Sequence, residues 1–196
     1  MFQTRGSVGI VDKTFSRQGK QEISLSSFAY LFGELVQYCQ SQVSNIGELE
    51  RKLDEVGYGV GVRLLEVLCY RERSQRRETR LLDMLKFVHS TLWKYMFGRQ
   101  ARDLEQSNTA EDEYMISDSD LFVTKYVSVP REMGHFNPAA FVAGVVRGVL
   151  EGAGFPARVT AHYVAVKDQL RPKTVILIKF TGYSAIMQRE QRMPGS

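Results

Sequence analysis

The residues in this chain that could do chemistry are three histidines, two cysteines, a glycine-rich run and one tight acidic pair, and their spacing keeps them apart. His89, His135 and His162 are scattered, with no Cys or Asp at metal-ligand spacing and no C-x-x-C or H-E-x-x-H pattern. His89 falls on the apolar side of a helical repeat and reads as a core histidine with its ring nitrogens satisfied. Gly57-Tyr58-Gly59-Val60-Gly61 has the look of a phosphate loop, but a helical pattern precedes it where a dinucleotide fingerprint needs a strand. No Walker-type Lys–Ser/Thr follows, so the run reads as a tight corner between two helices that uses glycine's backbone freedom. Asp118 and Asp120 flank Ser119 in a turn, where carboxylates favour the turn conformation itself. No G-x-S-x-G elbow and no Ser–His–Asp or Cys–His order is present. The expectation is no catalytic residue, no metal site and no cofactor, hence a chain that is not an enzyme.

Charge offers one concentrated feature. Arg71, Arg73, Arg76, Arg77 and Arg80 cluster, diluted by Glu72 and Glu78. Binding of nucleic acid through such a cluster wants interleaved aromatics for base stacking, and only Tyr70 is near. The cluster reads either as a solvated helix junction or as a contact for a partner or an anionic lipid. The whole chain, at +4 and a pI of about 9.1, is only mildly basic. With 43% hydrophobic residues in 196 it can bury a core, which excludes global disorder and fits one domain. Cys39 and Cys69 both sit in apolar helical sequence and read as core thiols of a reducing compartment. No apolar run approaches the roughly 18 residues a membrane span needs, and Met1 to Lys20 is polar and Gly-spaced, unlike a secretory leader. A cytoplasmic protein with at most peripheral membrane contact is expected.

The elements follow from periodicity and caps. Residues 1–22 read as a mobile arm with a short strand at Val8–Val11. A first helix is expected from Ser26 or Ser27 to Val43. Asn45 with Glu48 makes a capping box for a second helix, which stops at Gly57, and a third runs through Arg71. The fourth and longest spans Arg76 to Phe97, with Gly98 as its stop. Arg99 to Glu113 is a polar surface connection. Glu113–Ser117 and Leu121–Val127 read as strands. Asn137–Pro138 opens a helix that reaches Glu151. Ala157–Val166 and Thr174–Phe180 are strands, and Thr181 to Ser196 a polar, frayed tail. The boundaries are thus an arm at 1–22, a single domain at 23–181 and a tail at 182–196. Four helices, two strands, a helix and two strands imply an α+β fold, with helices packed on one face of a four-stranded antiparallel sheet.

Two surface patterns point to association. Ala140, Gly144, Gly148 and Gly152 recur every fourth residue, leaving one helix face nearly bare. Helical glycine costs about 1 kcal/mol relative to alanine, so a close approach must offset it, against the sheet or against a partner. The first and fourth helices also carry more apolar arc than one core face needs. Phe28, Phe32, Leu35, Val36, Leu92 and Trp93 are therefore the candidate partner-binding residues.

Several stretches together resemble the small-subunit family of the TRAPP vesicle-tethering complex. Gly57-Tyr58-Gly59-Val60-Gly61-Val62-Arg63-Leu64-Leu65-Glu66 is similar to that family's G-x-x-x-G-x-R-L-x-E signature. Arg77-Glu78-Thr79, Lys94-Tyr95-Met96-Phe97-Gly98 and Gly144-Val145-Val146-Arg147-Gly148-Val149-Leu150-Glu151 follow in the family's order. Ser24–Phe32, with the basic arm before it, is similar to the family's subunit-five branch. The resemblance implies an α/β plait and pairing with other TRAPP small subunits in a larger assembly. It further implies a role in ER-to-Golgi transport, peripheral placement at endoplasmic reticulum and cis-Golgi membranes, and a share in a multi-subunit guanine-nucleotide exchange factor for a Rab GTPase. The related subunit that carries an acyl chain has its cysteine four residues before the Arg-Glu-Thr triplet, where this chain has Arg73, so acylation does not transfer. The alternative reading is a small-ligand or lipid-binding domain of similar plait fold.

Overall fold

A computed structural model describes residues 24–71, 78–129, 133–165 and 172–192. The expected arm strand, Arg73, Arg76 and Arg77 lie outside them. The order is α1 (Leu25–Gln40), α2 (Ile46–Arg71), α3 (Leu81–Phe87), a π-helical segment (Val88–Leu92), α4 (Trp93–Phe97), β1 (Asp103–Gln106), β2 (Glu113–Asp118), α5 (Phe122–Lys125), α6 (Ala140–Gly152), β3 (Ala157–Val164), β4 (Lys173–Phe180) and α7 (Tyr183–Arg192). The strands form one antiparallel sheet in the order β1-β2-β4-β3. Along β4, Thr174, Ile176, Ile178 and Phe180 are buried while Val175 and Leu177 are only partly covered. That period-two alternation places the helices on one face, as expected for the α+β plait.

Local chemistry fixes several helix ends. Ser24 caps α1, its Oγ accepting from the Ser27 N–H at 3.1 Å. Asn45 Oδ1 accepts from the Glu48 N–H at 2.8 Å, and Glu48 Oε2 accepts from the Ser44 N–H at 3.2 Å, a reciprocal cap at the start of α2. Gly98 closes α4 at φ 76°, a left-handed conformation that glycine adopts without Cβ strain.

Several expectations are corrected. The glycine run 57–61 is no corner: α2 passes straight through it as one 26-residue helix. The glycines serve α6 instead. A Cβ at Gly57 or Gly61 would collide with the carbonyl oxygens of Phe141 or Val145, and one at Gly144 or Gly148 with those of Asp54 or Tyr58. The bare face of α6 is therefore turned to α2, backbone against backbone, rather than to the sheet. Leu121–Val127 is not a strand. Its middle forms the short helix α5, and the missing strand is β1, inside the polar stretch taken as a connection. Edge pairing with β2, not side-chain pattern, makes that segment extended, which is why it was illegible.

The expected frayed tail holds α7 at residues 183–192, with Ile186 buried and the Arg189 guanidinium 4.8 Å from the Phe155 ring centroid. The Leu81 N–H donates to Glu190 Oε1, so α7 also supplies a cap for α3. Residues 78–80 are not helical, and the fourth expected helix begins at Leu81 and widens to π geometry over Val88–Leu92. His89 sits in that segment, half-buried rather than in the core. Cys39 is buried, but Cys69 is exposed.

Candidate partner-binding surface

The six residues named from helical arcs separate cleanly once folded. Phe32, Val36, Leu92 and Trp93 are buried within this chain, and Phe28 and Leu35 are half-buried. Phe32 meets Phe141 edge-on at 5.4 Å and stacks on Phe28 at 5.8 Å, so the inner face of α1 is consumed by α6 and its own neighbours. Of the six candidates Phe28 and Leu35 keep partial exposure, and the four buried side chains pack into this chain's own core. The surplus of the α1 arc lies around the helix from them. Tyr30, Leu31 and Tyr38 are 78%, 72% and 61% exposed. At about 100° per residue, Leu31 and Tyr38 point almost the same way and Tyr30 about a quarter-turn off. The second surplus, from α3 and α4, is Leu82 and Tyr95. Leu31 and Tyr38 lie on the same helical wheel as the α1 candidates. The position of α6, against which Phe32 packs, decides the half of the arc that turns inward.

Trp93 has a different task. Its indole Nε1–H donates to Asp118 Oδ2 at 2.8 Å, while Arg99 Nη2 and the Asp120 N–H donate to Asp118 Oδ1 at 2.5 and 3.0 Å. Asp118 is 2% exposed at the end of β2. Burial pushes its carboxyl pKa up, but the donors from Arg99, Asp120 and Trp93 outweigh burial and hold it below the usual carboxylate value. The same contact raises the Arg99 guanidinium pKa. This ties the helical layer to the sheet and engages both carboxylate oxygens.

A second polar latch spans the α2/α6 crossing. Arg147 Nη2 donates to Asp54 Oδ2 at 2.6 Å, its guanidinium lies 4.5 Å from the Tyr58 ring centroid, and Glu151 stands 3.8 Å away. Asp54 Oδ1 is enclosed and accepts no hydrogen bond among the described residues, and burial, opposed by Arg147, raises the Asp54 pKa. At the far end of α2, Arg71 Nη1 donates to the Tyr95 hydroxyl at 2.6 Å. His135 and His162 line one open groove of about 830 Å³ between the first half of α2, α6 and β3. Among the described residues no three His, Cys, Asp or Glu side chains converge on a possible metal position.

Comparison with known proteins places this architecture. The profile of the transport protein particle (TRAPP) component family matches residues 28–181. The chain belongs to the TRAPP component family. It is 54% identical to trafficking protein particle complex subunit 5 of Dictyostelium discoideum, over 90% of this chain and 95% of that protein. With subunit 5 of Homo sapiens it shares 40% identity over 98% of this chain and 97% of the relative. Subunit 31 of Saccharomyces cerevisiae is 29% identical, covering 82% and 77%. A crystal structure of trafficking protein particle complex subunit 3 from Naegleria fowleri, covalently bound to palmitic acid, superposes with a TM-score of 0.67 at 19% identity, over 80% of this chain and 95% of that one. That likeness is one of fold. Against the family pattern, Gly57, Gly61, Gly144 and Gly148 of the two glycine-bearing stretches are those of the α2/α6 crossing, and Arg147, with Asp54 and Glu151, is its latch.

Proposed function

We propose that this chain is a structural subunit of the TRAPP vesicle-tethering assembly and that it pairs with a sister small subunit through the outer face of α1. Family membership supports the assembly. The observation that carries the pairing is the exposed Tyr30–Leu31–Tyr38 strip, an apolar surface of the kind that a soluble monomer rarely leaves open. Within that assembly the chain serves ER-to-Golgi transport, at the cytoplasmic side of endoplasmic reticulum and cis-Golgi membranes. It adds surface to a multi-subunit exchange factor for a Rab GTPase without catalysing a reaction itself. Opening a nucleotide site needs a broad composite surface, and among the described residues no constellation offers an alternative chemistry. A small-ligand or lipid-binding role is not favoured by the relatives found.

Affinity purification of the tagged full chain, with identification of the co-purifying chains, tests the reading. Sister TRAPP subunits should be recovered in stoichiometric amounts, and Leu31→Asp with Tyr38→Asp should release the direct partner while the chain stays folded. Recovery of a monodisperse monomer with no sister subunit would sink it. In a nucleotide-release assay the isolated chain should leave Rab-bound guanine nucleotide at its intrinsic off-rate.

A further inference from the structure

The last strand of the sheet, β3, borders the groove already described. Among the described residues β3 pairs with β4 alone. The polarity of its free edge follows from two backbone hydrogen bonds beyond the ladders. The Thr181 N–H donates to the Pro156 carbonyl at 2.8 Å, and the Phe180 N–H to the Asp112 carbonyl at 3.0 Å. In an antiparallel pair, hydrogen-bonded and non-hydrogen-bonded positions alternate. With residue 156 bonded to 181, the bonded positions of β3 are Arg158, Thr160, His162 and Val164, opposite Lys179, Leu177, Val175 and Lys173. Ala157, Val159, Ala161 and Tyr163 therefore turn their N–H and C=O groups outward, along the groove. Eight residues of strand present this ladder over roughly 25 Å, with no proline or glycine to blunt it.

The groove fits a strand. Its volume of about 830 Å³ opens beside small side chains, Ala140 and Ala143 on α6 with Ala157 and Ala161 on β3. Residues of an added strand that lie opposite Ala157, Val159 and Ala161 would point their side chains to the helix side, where this floor has room for short ones. The far wall is α2. There Asp54 is neutralised by Arg147, leaving Glu50 and Glu55 against Arg51, a wall of net negative sign. On the opposite face of β3, Arg158 is exposed and, among the described residues, forms no ion pair.

We propose that the free edge of β3 accepts an extended peptide segment of a partner subunit as a fifth strand, with short side chains over the alanine floor, a basic residue towards Glu50 and Glu55, and an acidic one beside Arg158. Main-chain hydrogen bonds supply the affinity and the charged walls set the register. The proposal rests on the assembly reading above, but it names a second surface, distant in sequence from the outer face of α1.

The test is amide hydrogen exchange at single-residue resolution, on the full chain alone and in the complex purified through it. Alone, the Val159, Ala161 and Tyr163 amides should exchange fast and those of Arg158, Thr160 and His162 slowly, the alternation of an edge strand. In the complex the first set should slow at least tenfold. Ala161→Pro removes one outward N–H and leaves the β4 ladder intact, because proline is tolerated where an edge N–H faces away from the sheet. It should keep the melting temperature of the chain while abolishing the added protection, and Glu55→Lys should weaken it. If sister subunits co-purify and the edge amides stay fast, the proposal is wrong and the α1 pairing stands. Concentration-dependent protection in the isolated chain would mean a second copy occupies the edge and would overturn it too. Absence of any co-purifying subunit would overturn both.

Discussion

Asp118 carries three donors in a nearly closed site, and removing it isolates each of them. Arg99, 43% exposed, can turn to water, but the Trp93 indole N–H cannot. A buried unsatisfied donor costs about 1–3 kcal/mol, so Asp118→Ala should lower unfolding free energy by at least that much in urea titration. The pH dependence has a definite sign. The carboxyl is held below its ordinary value in the fold, so its contribution is present above the unfolded value of about 3.9 and is lost as pH falls through the lower, folded one. The stability gap between the parent and Asp118→Ala should therefore be constant near neutrality and shrink below about pH 4. Asp54 acts oppositely: its raised pKa means that ionisation costs the fold stability, so acid restores some of it. A gap that widened on acidification would refute the assignment of Asp118 as the ionised acceptor.

At the scale of elements, the α2/α6 crossing makes neighbouring glycines behave differently. A Cβ on Gly61 or Gly144 would meet backbone carbonyls that can retreat only if the helices part. Gly61→Ala and Gly144→Ala should each cost about 1–3 kcal/mol or more, the usual range of overpacking. Gly59, two residues from Gly61 on the same helix, would place its Cβ 3.4 Å from the flexible Arg63 Nη1 and near nothing else. Gly59→Ala should therefore be neutral or stabilising by up to about 1 kcal/mol, from helix propensity alone. Chemical denaturation of the three variants checks the contrast, and equal effects at Gly59 and Gly61 would contradict backbone contact as the reason for the glycines.

For the whole molecule, the consequence is a division between residues that fold it and residues that join it. Phe32→Asp and Trp93→Asp place a charge among fully packed side chains and should yield unfolded or aggregated chain whatever partner is present. Leu31→Asp and Tyr38→Asp fall on the open side of α1 and should leave the melting temperature of the chain within a few degrees while weakening co-expression with a sister subunit. Size-exclusion chromatography of each co-expressed pair reads both effects. Loss of folding at Leu31→Asp would mean that the outer face of α1 is needed internally.

The sequence by itself determined the helices with strong caps and stripes, the helix-start signal at Asn45, the glycine stop at Gly98, the β2, β3 and β4 segments, the fold class and the family signature. Those features are local: a cap, a period of 3.6 or 2, a motif within a dozen residues. Tertiary structure decided the rest. Gly57 to Gly61 reads as a corner until α6 is laid against it, because a glycine needed for close approach and one needed for a turn are the same letter. β1 is extended only because β2 lies beside it, and α7 holds only because Phe155 and Leu81 are there to receive it. The arc of α1 was legible in its width, yet its inward half was set by Phe141 from a helix a hundred residues away. A side chain's face is a relation between two elements, and a sequence pattern describes only one of them.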